Sequence, residues 1–200
     1  MNPLNTINGT IISGVVLAVV IGLLTMGVQF NTASFLVWIH VLAGIVWIGL
    51  LYYFNFVQVP ALAEAASDQG GPGGAGISKY VAPRALLWFR WGAVVTWLSG
   101  ATYLLHIGQF DDAFLLGMGA NSAPNAMVIG VGAWLGTIML INVWVLIWPN
   151  QKKVLGLVEA TAEQITKARR VAFIASRTNT LLSIPMLMSM VAYGHGGFFI

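Results

Sequence analysis

The sequence predicts an all-α integral membrane bundle of about five transmembrane helices plus an amphipathic helix on the cytoplasmic face. Three observations predict it. Only 8% of the residues are charged, where a soluble domain carries about 25%. The apolar residues gather into stretches long enough to cross a bilayer. The lysines and arginines gather into two of the connecting loops. A bilayer offers no water to the backbone, so each apolar stretch must close its own hydrogen bonds, which at this length means a helix. The whole chain, 1–200, reads as a single transmembrane domain.

The first stretch runs from Thr10 to Phe30. No basic segment precedes it and no Ala-x-Ala site follows, so it reads as a retained helix and not as a cleaved signal. Ala33 to Val57 is the second stretch, rich in aromatics. Ser67 to Gly76 then forms a glycine-rich loop. Ala85 to Ile107 is the third stretch, interrupted only by Arg90, and Ala126 to Trp148 is the fourth. The fifth runs from about Asn179 to Phe199, with an apolar lead-in from Val171. Between the last two, Lys152 to Ala172 interleaves Val154, Leu157, Val158 and Ile165 with Lys153, Glu159, Glu163 and Lys167. That pattern fits an amphipathic helix lying on the membrane or a plain solvated helix.

Lys79, Arg84, Arg90, Lys152, Lys153, Lys167, Arg169, Arg170 and Arg177 all lie in or near the loop after the second stretch or the one before the fifth. With five spans these loops fall on one side. Basic residues favour the cytoplasm. The expected location is therefore a bacterial cytoplasmic (inner) membrane, with the N-terminus inside and the C-terminus outside. The net charge of +3 forms no continuous basic face, which argues against nucleic acid as a partner.

Three histidines remain: His40, His106 and His195. On this topology all three fall in the outer leaflet or at its edge. Neutral imidazole ligates haem iron, copper and zinc. Two histidines on neighbouring helices can hold a b-type haem without a covalent link. His40 and His106 are thus candidate metal ligands, with His195 the other candidate partner. Gly44 lies one turn from His40, and Thr102 and Gly100 lie near His106, leaving room for a flat ring. Trp38, Trp47, Tyr103, Phe110 and Tyr193 are available to cover it. The plainer account makes His106 and His195 interfacial residues bonded to water. His40 is harder to treat so, because ionisable residues inside an apolar span are rare and usually functional. Arg90 either pairs with a cofactor carboxylate or snorkels to the surface. Thr178, Asn179 or Thr180 can cap the fifth helix, and Asn142 can join helices.

No cysteine occurs, which excludes disulfides, iron–sulfur clusters and c-type haem attachment in this chain. No nucleophile elbow, phosphate loop or dinucleotide fingerprint is present, so no catalytic residue is assigned. The spans carry no paired charges and no inverted repeat, which leaves little support for a transporter.

The run Trp38-Ile39-His40-Val41-Leu42-Ala43-Gly44-Ile45-Val46-Trp47-Ile48-Gly49, ending in Tyr52-Tyr53-Phe54, closely resembles the membrane domain of bacterial PuuD-type urate hydroxylases. Arg90-Trp91-Gly92-Ala93-Val94-Val95-Thr96-Trp97 fits the same family. The fifth stretch, with Asn179 and Leu182-Ser183-Ile184-Pro185, is similar in outline. A more distant similarity is to HemJ-type protoporphyrinogen oxidases, which bind b-type haem through a histidine in such a helix. The resemblance implies a haem-linked His40, with His106 and His195 candidates from topology. Two departures stand out. The urate hydroxylases have a C-terminal cytochrome c domain that this sequence lacks. The HemJ-type enzymes use a lysine in the membrane, and no span here holds one.

Two expectations follow. One is a membrane-bound haem b protein for electron transfer or oxidation, akin to a urate hydroxylase without its cytochrome domain. The other is a non-catalytic accessory subunit of a larger respiratory or photosynthetic membrane complex. The lipid bilayer is a partner in both, joined by a redox partner or the larger complex.

Overall fold

The computed structural model describes residues 2–120, 122–123 and 125–197, whose regular structure is helical, with no strand among them. The expected end of the fifth stretch at Phe199 lies outside them. The chain divides into two units, Met1–Thr32 and Ala33–Ile200.

The first unit holds α1 (Ile7–Met26). Thr6 caps it, its Oγ1 accepting from the Gly9 N–H at 3.0 Å. Gly27, at φ +87°, ends it in a conformation that only glycine adopts easily. α1 is apolar around its whole circumference, and none of its residues is buried.

The second unit holds α2 (Thr32–Ser67), α3 (Ala82–His106), the short α4 (Phe110–Phe114), α5 (Ala126–Val154) and α6 (Ala162–His195). By length and composition α1, α2, α5 and α6 are each able to cross a membrane. α3 is less apolar, because Arg84, Arg90 and several hydroxyl residues fall within it.

The four long helices of this unit run antiparallel, each to the next, and close into a ring. α2 meets α3 through Phe54 and Phe89, whose ring centroids are 5.4 Å apart, and at Gly92, where an added Cβ would lie 3.3 Å from the Trp47 backbone nitrogen. α3 meets α5 where the Trp97 indole donates to Thr137 Oγ1 at 2.8 Å and where Trp91 packs edge-on against Trp144. α5 meets α6 at Gly132 beside Ser189, whose hydroxyl donates to the Val128 carbonyl. α6 returns to α2 through Ser183, hydrogen-bonded to the Tyr52 hydroxyl at 2.9 Å.

Three π turns, Phe54–Gln58, Ile77–Val81 and Asn142–Ile147, interrupt the helices. Each is followed two residues later by a proline: Pro60, Pro83 and Pro149. A proline ring in a helix clashes with the carbonyl four residues back. Here that carbonyl belongs to the π turn in each case, and widening the turn moves it away. In α2 the Asn55 side chain adds to this. Its amide donates to the Leu51 carbonyl at 2.8 Å, the acceptor that the Asn55 backbone N–H would use in an α-helix.

Large apolar side chains fill one half of the ring. Trp47, Leu51, Phe54, Phe89, Met139, Val143 and Ile147 form its core. A smaller cluster at the other end, Leu104, Ala113 and Ile129, packs α4 under α3 and α5. All nine basic residues lie in the half of the bundle where α3 and α6 begin, Arg177 nearest its middle, and Asp111 and Asp112 lie at the opposite end.

Two expectations are corrected. The Lys152–Ala172 segment is not a separate surface helix. Lys152 to Val154 close α5, Gly156 at φ +69° breaks the chain direction, and the rest opens α6. A capping box starts that helix: Thr161 Oγ1 accepts from the Gln164 N–H, and Gln164 Oε1 from the Thr161 N–H. Asn179 is therefore no cap. It sits in mid-helix, fully buried.

Candidate functional site

His40 projects from α2 onto the inner face of α3. Its Nδ1 lies 2.8 Å from the Thr96 carbonyl oxygen. A carbonyl only accepts, so in the neutral ring Nδ1 carries the proton and Nε2 keeps its lone pair. The approach depends on Gly100, where a Cβ would stand 2.9 Å from both Nδ1 and Cε1 of the ring. The Ser99 hydroxyl donates to the Val95 carbonyl at 2.6 Å and lies 3.0 Å from the same Thr96 carbonyl. Gly44, one turn further along α2, faces the Thr96 methyl, with room for an ordinary contact. His40, Gly44, Thr96 and Gly100 are thus brought together.

Around this level the ring changes character. Toward the basic end its inner positions carry the large core side chains. Toward the other end buried Gly132 and Gly136 of α5 and Ser189 of α6 alternate with buried Ile129, Met186 and Leu104. A Cβ added to buried Gly136 would meet no heavy atom within 4 Å. An imidazole whose tautomer is fixed in this way, with a free Nε2 lone pair, has the chemistry of a ligand for haem iron. A histidine that ligates iron commonly donates its other N–H to a backbone carbonyl in this way.

The other histidines share this end of the bundle but not this arrangement. His106 closes α3, exposed, ten residues or about 15 Å beyond Thr96. His195 closes α6, also exposed, its Nδ1 3.2 Å from the Val191 carbonyl of its own helix. The ends of α3 and α6 are tied together where the Tyr193 hydroxyl donates to Gln109 Oε1 at 2.7 Å. No group of three or more histidines and carboxylates suited to a metal ion occurs among the described residues. Arg90 lies toward the basic end, its guanidinium 3.8 Å above the Trp148 ring. Of the aromatics expected around the site, Trp47 is a core residue, and Tyr103, Phe110 and Tyr193 pack on the small cluster at the far end. Two surface grooves, of about 730 and 590 Å³, lie elsewhere and do not include His40.

A second polar arrangement joins α2, α5 and α6. Asn142 donates to Asn179 Oδ1 at 2.9 Å, and Asn179 donates to the Met139 carbonyl at 3.0 Å. Asn55 donates to Ser176 Oγ at 2.8 Å. Asn142 therefore joins helices, as its mid-span position suggested. Asn55 and Ser176 were not singled out from sequence. The available signal was an asparagine within an apolar run, five residues before a proline.

Residues 113–199 match the model of a family described as urate oxidase N-terminal. The chain is similar to that family from the end of α4 through α5 and α6, less than half of its length. The match leaves out α2 and α3, which carry His40 and Thr96. No curated protein and no solved structure matches the chain.

Proposed function

We propose that this chain is a membrane-bound b-type haem protein, related to the membrane domain of PuuD-type urate hydroxylases, that serves electron transfer or oxidation. The hydrogen bond from His40 Nδ1 to the Thr96 carbonyl carries the proposal. It presents Nε2 as a base where Gly100 lets α2 and α3 approach closely. The family match over α5 and α6 supports the same direction from a separate part of the chain.

In this reading His40 would be a residue that holds the haem, and His106 or His195, exposed at the same end of the bundle, are the candidates for a second. When bound, a b-type haem supplies one-electron exchange at a potential tuned by its ligands. The protein's own contribution is threefold. Thr96 fixes the imidazole tautomer and orientation, Gly44 and Gly100 let α2 and α3 approach closely enough for that bond, and the apolar core beyond them excludes water. Arg90 stays with Trp148 and out of this arrangement.

A dithionite-reduced minus oxidised absorption spectrum of the purified protein tests the proposal, with a pyridine haemochrome assay for haem per chain. The expected result is a b-type spectrum at about one haem per chain. A haem-free protein from cells supplied with ample haem precursor would point instead to an accessory subunit of a larger complex.

The proposed location is a bacterial cytoplasmic membrane, N-terminus inside and C-terminus outside, because every basic residue lies at one end of the bundle. The chain has no cysteine, so single introduced cysteines report cleanly. In intact cells a membrane-impermeant maleimide should label Asp111→Cys and spare Ser67→Cys, both at exposed positions. The reverse pattern would invert the topology.

A further inference from the structure

A groove of about 590 Å³ runs between α2 and α3 on the outside of the bundle. Ile45 and Gly49 of α2 line one side, and Tyr80, Arg84 and Trp88 line the other. Gly49 gives it depth, since a Cβ there would meet nothing within 4 Å. Ile45, Tyr80 and Trp88 are all more than half exposed. In water such an apolar surface would be costly. On a helix pair in a bilayer it faces acyl chains.

The two ends of the groove differ. Arg84 stands at the basic end, one guanidinium N–H donating to the Tyr80 carbonyl at 2.6 Å. A guanidinium has five such donors, so the fork is anchored and can still accept an anion. Tyr80 and Trp88 flank it, the residue types that favour the headgroup level. From Arg84 the trough leads along the apolar side of α2 to Ile45. Ser67 and Ile45 belong to the same helix, and Ile45 lies nearer the end that carries His40, so the trough points into the membrane. From the level of Tyr80 to that of Ile45 is roughly fourteen residues of antiparallel helix, about 21 Å. That is comparable to one leaflet of a hydrocarbon core about 30 Å thick.

We propose that this groove binds one anionic phospholipid. Arg84 takes the phosphodiester by charge-assisted hydrogen bonds, and one acyl chain lies over Gly49 between Ile45 and Trp88. The site is separate from His40 and does not depend on the haem proposal.

Native mass spectrometry of the whole chain, released from detergent and titrated with dioleoyl phosphatidylglycerol or dioleoyl phosphatidylcholine, tests it. The wild-type chain should hold one phosphatidylglycerol in preference to phosphatidylcholine by about fivefold, as expected for one arginine near the membrane surface. Arg84→Gln, at an exposed position, should lower phosphatidylglycerol to the phosphatidylcholine level. Gly49→Leu should fill the trough and reduce both lipids. Equal binding of the two lipids by the wild-type chain, or an unchanged preference in Arg84→Gln, would overturn the proposal. So would displacement of the lipid by millimolar inorganic phosphate, which would mean an anion site with no acyl subsite. A dimer that Gly49→Leu dissociates would assign the groove to a second copy of the chain instead.

Discussion

Replacing His40 with Ala should remove haem from the purified protein while leaving its helical circular dichroism unchanged. The imidazole is the ligand in this reading, and it hydrogen-bonds α3 only through Nδ1. Its loss should cost the helix bundle little, since helix-to-helix hydrogen bonds in membrane proteins average about 0.6 kcal/mol. Gly100→Ala gives a sharper result, because it leaves the ligand in place. The new methyl would stand 2.9 Å from two atoms of the His40 ring, so the ring must shift, which should weaken its bond to Thr96. Loss of such a supporting bond typically weakens metal binding about 10- to 100-fold. Full haem content in His40→Ala would end the assignment of His40 as a residue that holds the haem. Full haem content in Gly100→Ala alone would leave the ligand and remove the role given to Thr96.

Asn179→Leu should be the most destabilising single change in the buried polar layer, by about 2 kcal/mol in a denaturant titration monitored by helicity. Asn179 is fully buried and bonds both Asn142 and the Met139 carbonyl. Removing it strands the Asn142 amide between helices, and an unpaired buried donor costs more than the pair contributed. The double change Asn142→Leu with Asn179→Leu should therefore be less destabilising than the two single changes added together. Strict additivity in that cycle would mean that the two side chains do not interact across α5 and α6.

How much of this was legible in the sequence depended on whether the signal was local. The apolar stretches, the glycine-rich loop and the grouping of basic residues at one end are properties of composition and order, because a bilayer selects for length and for charge at the edges. His40 also stood out without any structure, as an ionisable residue in an apolar run. Its tautomer did not, since the acceptor is a backbone carbonyl 56 positions away, and carbonyls look alike in a sequence.

The start of α6 was misplaced for a related reason. The hydropathy of Ala162 to Arg177 is too low to mark a membrane segment, while the capping box at Thr161 is a signal of a few residues only. A helix that leaves the hydrocarbon keeps its backbone bonds and simply continues, so hydropathy marks where the lipid ends and not where the helix does.

What the sequence by itself determined is the helical class, the long apolar helices and the end at which the charges gather. Each follows from the cost of leaving a backbone group or a charge in hydrocarbon, which every stretch meets on its own. Only the tertiary structure decided that Gly100 admits His40, that Asn142 meets Asn179, and that Gly49 opens a groove beside Arg84. Those depend on the antiparallel register of neighbouring helices, and close packing of side chains sets that register, which no single stretch encodes.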